Sequence, residues 1–116
     1  MEIQYKIEAE QDDTPILGNL CCTDDPEQDT KEENEVFRRL NNGDIYAWCL
    51  IKVTASFGRF SYSDYLGGNS LKDEKEVEEQ VEYHGMKQEA RLGLIEEIKQ
   101  ANAEYLEFIS LLEQTP

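Results

Sequence analysis

Ile3, Tyr5, Ile7 and Ala9 alternate with Glu2, Gln4, Lys6 and Glu8 at the start of the chain, the period of a half-buried strand. Residues 10–29 then mix Asp, Pro, Gly and Thr around one apolar island, Ile16–Leu17, and read as a long acidic loop. Thr30–Lys31–Glu32–Glu33 matches a capping box, in which hydroxyl and carboxylate satisfy each other's exposed amides, and predicts a helix from Thr30 with Val36, Phe37 and Leu40 on its apolar stripe. Arg38 and Arg39 suit the C-terminal end of its dipole, and Asn41–Asn42–Gly43 supplies a left-handed stop.

From Asp44 to Phe57 the pattern is that of a central strand. Ile45, Ala47, Cys49, Ile51, Val53, Ala55 and Phe57 share one face, and Tyr46, Trp48 and Leu50 make the first half apolar on the other. Gly58–Arg59 predicts a type II′ hairpin, with a third strand returning through Tyr62 toward Leu66 and ending at "LGGNS". Ser70–Leu71–Lys72–Asp73 opens another helix, carrying Val77 and Val81 one turn apart. After Gly85 a longer amphipathic helix places Met86, Ala90, Leu94, Ile98, Ala101, Tyr105, Ile109 and Leu112 at intervals of three or four. The order β-α-β-β-α-α predicts one α+β domain over residues 1–116, a small, mainly antiparallel sheet of about three strands with helices packed on one face.

Charge sharpens this picture. The 116 residues carry a formal net charge of -15, with Asp+Glu 26 against Lys+Arg 11. Residues 1–35 are strongly negative, residues 36–71 slightly positive, and residues 72–116 negative again. Two acidic segments therefore flank a neutral, aromatic centre, as expected when the centre supplies the core and the flanks are solvated. A surface of this sign repels phosphate, so direct nucleic-acid binding is excluded as an expectation and a basic protein partner takes its place. No run approaches the ~20 apolar residues of a membrane span. "MEIQYKIEAE" has neither the basic start nor the apolar region of a leader, so no membrane association is expected and the cytoplasm is the expected compartment.

Catalytic chemistry finds little support. His84 is the single histidine and lies at a helix break in "EYHGMK", where a capping or solvated role is ordinary. Cys49 sits in the apolar strand, where a thiol behaves as a small hydrophobe. An enzyme would have to assemble its site from Cys49, His84, Asp64 and Tyr65. Cys21 and Cys22 lack the paired spacings of a zinc site, the Asp pairs at 12–13 and 24–25 are not an EF-hand loop, and Gly67–Gly68–Asn69–Ser70 has no Lys before its Ser as a phosphate cradle needs. The expectation is no enzyme, no metal and no cofactor.

"NGDIYAWCLIKVTA", "SDYLGG" and "YHGMKQEA" together resemble small acidic proteins of phages, prophages and plasmids, a likeness that covers roughly residues 36–95. It carries over no catalytic residue, and Asn69 stands where those proteins are expected to have a Cys. By size and acidity the chain is also similar to anti-CRISPR and anti-restriction inhibitors, which occupy the nucleic-acid channel of a host defence complex or block its assembly. What this likeness implies is a non-enzymatic inhibitor, a DNA mimic, that sets Asp12, Asp13, Asp24, Asp25, Asp73, Glu74, Glu78 and Glu82 against a basic nucleic-acid-binding or nuclease surface. The alternative is a structural or assembly protein that self-associates through Tyr105, Phe108, Ile109 and Leu112, since "YLEFISLLE" is more apolar than a free helix end needs; a homodimer through that helix fits either expectation.

Overall fold

A computed structural model of the chain describes residues 2–17, 19–20 and 25–115. The predicted alternations become three strands, β1 (Gln4–Gln11), β2 (Cys49–Phe57) and β3 (Phe60–Asn69), in one antiparallel sheet of order β1-β2-β3. Helices α1 (Pro26–Asn41), α2 (Glu74–Tyr83) and α3 (Met86–Glu113) complete the predicted α+β order. Cys21, Cys22 and Asp24 lie outside the described residues.

Register decides which side chains are buried. Ile7 lies opposite Val53 and Ala9 opposite Ile51, while Ile51 faces Leu66 on the other edge, so apolar side chains from all three strands share one side of the sheet, with Asp64 beside Val53 at its outer strand. Cys49, Ile51, Val53 and Ala55 on that side are fully buried beneath Val77 and Val81 of α2 and Met86, Ala90 and Leu94 of α3. The opposite side carries Lys6, Glu8, Lys52, Thr54 and Tyr65, with the Thr54 and Ser63 hydroxyls hydrogen-bonded at 2.8 Å. At the hairpin, Gly58 takes φ 58° while Arg59 keeps a negative φ, as a type II′ turn requires.

Helix α1 lies apart from this layer. Val36 and Leu40 pack with Ile16, Leu20, Ala47 and Trp48 in a second cluster at one end of the sheet. Phe37, expected on the apolar stripe of α1, is instead exposed.

Several boundaries differ from the sequence expectation, each for a local reason. Helix α1 begins at Pro26, because Asp25 caps it by accepting from the amides of Glu27 and Gln28, and proline's missing N–H costs nothing in a first turn. Thr30 is interior and turns its hydroxyl back to the Pro26 carbonyl. Since β1 also runs to Gln11, the loop expected over 10–29 loses residues 10–11 to β1 and 26–29 to α1. The stretch expected to open the central strand folds as a 3₁₀ turn, Ile45–Ala47, since the Asp44 carboxylate accepts from the Tyr46 amide. Helix α2 starts at Glu74, where Asp73 accepts from the Glu76 amide and Glu76 reaches back to the amide of Lys72. Ser70–Leu71 stays outside the helix because Leu71 is pinned, its amide donating to Tyr46 and its carbonyl accepting from Arg39, which also pairs with Asp44 at 2.8 Å.

Gly93 sets how closely β3 approaches α3. A methyl group there would stand 2.1 Å from the Tyr62 ring. We therefore expect Gly93→Ala to destabilise the protein by about 1–3 kcal/mol, although Ala is the better helix former. Urea unfolding of Gly93→Ala, Tyr62→Ala and the double variant checks this: in the double variant the penalty should be smaller than the sum of the two.

Candidate protein-binding surface

Helix α2 turns two valines inward and its carboxylates outward. Val77 and Val81 are 2% and 3% exposed, and four-residue spacing aligns Glu74, Glu78 and Glu82 along the solvent side, with Glu79 beside them. Among the described residues none of these four glutamates takes part in an ion pair. Like charges one turn apart weaken an isolated helix by about 0.2–0.5 kcal/mol per pair, so the row is held in place by the buried valines and the Asp73 cap. Glu78 and Glu82 also line an open groove of about 530 Å³ together with Ile7, Val81, Lys87 and Gln88.

The other acids expected to bind a partner divide by role. Asp13 is exposed; Asp25 and Asp73 are exposed too, but each caps a helix. Asp12 is not on display. It is 9% exposed and lies at the end of the sheet, where Gly67 and Gly68 together oppose the single residue Leu50 in a β-bulge. One Asp12 oxygen accepts from the Thr14 amide at 2.8 Å and the other from the Gly68 amide at 2.7 Å, while its own amide donates to the Trp48 carbonyl. Trp48 Nε1 donates to the Thr14 carbonyl, and the Asn69 side-chain amide donates to the carbonyls of Leu66 and Cys49. Asp12 and Asn69 are thus braces of the bulge. Nothing in the spacing of residues marks such a brace; the sole sequence signal is the double glycine, and a Cβ at Gly67 would stand 2.8 Å from the Asp12 carboxylate.

The residues from which an enzyme would be built do not share a face. Cys49 is buried, its thiol pushed up to about 11 by burial and by the nearby Asp12 and Asp44 carboxylates. Asp64 is on the helix-covered side and Tyr65 on the open side. His84 is exposed, ends α2 as its C-cap and contacts Gln80 and the edge of the Tyr83 ring. Among the described residues there is no group of three or more His, Cys, Asp or Glu side chains placed to hold a metal, and no helix long and apolar enough to cross a membrane. Tyr105, Phe108, Ile109 and Leu112 are all exposed, on the part of α3 that has run past the sheet. Compared with protein-family models, curated proteins and solved structures, the chain matches none.

Burial pushes the Asp12 carboxyl up, but the hydrogen bonds from the Thr14 and Gly68 amides and from the Thr14 side chain together outweigh it and hold its pKa below the usual value. A depressed folded-state pKa gives stability that is present above about pH 4, the unfolded value, and is lost as pH falls through the folded value. Asp12→Asn should therefore cost about 1–2 kcal/mol at pH 7. In urea titrations across pH, the gap between wild type and Asp12→Asn should narrow below about pH 4.

Proposed function

We propose that this protein is a non-enzymatic binding protein that sets the acidic face of α2 against the basic, nucleic-acid-binding surface of another protein, as an inhibitor of a host defence complex acting in the host cytoplasm would. The observation that carries the reading is the row Glu74, Glu78 and Glu82, unpaired and repelling itself, on a helix fixed to the core by Val77 and Val81. A rigid row of carboxylates meets a cationic groove with little ordering cost, and contact with cations relieves the repulsion along the helix. Asp13 and the capping acids Asp25 and Asp73 extend the negative field; Asp12 has no part in it, because amides already hold both its oxygens. Association of this kind is fast and weakens as salt rises.

Capture from host lysate at low and moderate salt, with elution by added DNA, tests the reading. The expected result is a nucleic-acid-binding complex that DNA displaces. The combined variant Glu74→Lys, Glu78→Lys and Glu82→Lys should lose capture while its Tm stays within about 3 °C of wild type. Capture that survives both the triple variant and DNA competition would overturn it.

A further inference from the structure

Where α3 leaves the sheet, its apolar stripe continues. Leu94 is buried against β2 and β3, and along the same line Ile98, Ala101, Tyr105, Phe108 and Leu112 follow at intervals of four, three, four, three and four residues, the 3.5-residue repeat of a helix-pairing seam. From Asn102 to Thr115 every residue is exposed, and the molecule is drawn out to 74 Å against 27 and 24 Å in its other dimensions. Arg59 at the hairpin tip hydrogen-bonds the Tyr105 hydroxyl and lies 5.2 Å above its ring, which fixes the near end of the stripe.

We infer that this stretch of α3 docks a second copy of the same chain, the two helices packing antiparallel about a twofold axis between residues 106 and 107. Area is the first argument. At 43–72% exposure, Tyr105, Leu106, Phe108, Ile109, Leu111 and Leu112 leave about 600 Å² of side-chain surface in water, at the upper end of what a monomer's largest apolar patch carries. The side chains that face the seam, Tyr105, Phe108, Ile109 and Leu112, hold about two thirds of it, so two copies together remove about 800 Å² of apolar surface, the scale of a weak, concentration-dependent interface. Self-complementarity is the second. Antiparallel pairing about that axis sets Tyr105 of one copy against Phe108 of the other, and the small Ala101 against the large Leu112, each contact made twice. Charge is the third. Between Ala101 and Leu112 the only charged residues are Glu104 and Glu107, and antiparallel overlap of the helix ends places the two acidic bodies at opposite ends of the shared segment, where a parallel pair would abut them.

This interface uses none of the α2 carboxylates, and its salt response has the opposite sign. Screening the repulsion between two acidic copies tightens the dimer as salt rises, whereas the partner contact of α2 weakens. Sedimentation velocity of the full chain over a concentration series should show a dimer that tightens with salt, and Leu112→Glu or Phe108→Glu should weaken it at least ~100-fold. Emission from Trp48, 1% exposed and remote from α3, reports that these variants remain folded. In a Cys21→Ser, Cys22→Ser background, Ala101→Cys mixed with Leu112→Cys should form an interchain disulfide, and Leu112→Cys alone should not. A wild-type chain that stays monomeric at every concentration, or a 112–112 disulfide in place of the mixed one, overturns the inference.

Discussion

The inner face of β2 is the constraint on which the rest of this fold depends. Cys49, Ile51, Val53 and Ala55 are fully buried, and their strand is paired on both edges, so its backbone amides are satisfied without water. The row carries no aromatic or long flexible side chain, and α2 and α3 pack on it to bury Val77, Val81, Ala90 and Leu94. Burial of each Val or Leu among them is worth about 1.5–3 kcal/mol, a large share of the driving force for a chain of this size. The thiol at Cys49 belongs to this packing: buried and displaced far from neutral titration, it is a hydrophobe of convenient size.

At one end of that row the fold must join three things: the loop after β1, the bulge in β3 and the turn that precedes β2. A single residue does so, through its carboxylate and its backbone amide. Asp12 takes an amide from its own loop and one from Gly68, and hands its own amide to Trp48. The bulge needs glycine twice over, at Gly67 because the carboxylate fills the space of a side chain and at Gly68 because φ is 72°. Arg39 performs a similar task on the other side of Trp48, linking α1 to Asp44 and to Leu71. The second cluster is therefore held as much by these polar ties as by its few apolar contacts.

What the sequence disclosed and what it hid follow from the range of the interactions involved. Period and spacing report on a residue's own element, so the three strands, the three helices, the buried valines of α2 and the buried stripe of α3 were all legible. Helix starts were harder because several residues compete for one role. Asp25–Pro26 and Thr30 both offer a start to α1, and Asp73 and Ser70 both offer one to α2; in each case the aspartate is the N-cap. The alternation extends past the true start of the central strand because Ile45 and Ala47 continue it, yet the Tyr46 amide donates to the Asp44 carboxylate and that segment curls into a turn. Asp12 was the least legible of all. By sequence it is one of many acids in an acidic loop, and what sets it apart from Asp13 is chiefly long-range contact, with Trp48 and with Gly68, 56 positions away.

Helix α3 raises a question of cost. Its first half is docked, but in the 12 residues from Asn102 to Glu113 every residue is exposed and only Tyr105 is tied to the sheet, through Arg59, and a free helix of about 12–15 residues is marginal in water. Continuity with the docked turns removes the nucleation penalty, so the extension can form; it does not explain the side chains chosen. At Phe108, Ile109 and Leu112, residues such as Glu, Lys or Gln would serve a solvated helix as well or better, and would leave no apolar surface in contact with water. Elsewhere this chain fills its surface with carboxylates. Exposed apolar side chains occur elsewhere too, Leu17, Phe37, Tyr65 and Tyr83 among them, but only here do six fall within eight residues of one helix, in phase with its buried stripe, and that density is what the proposed second copy would cover.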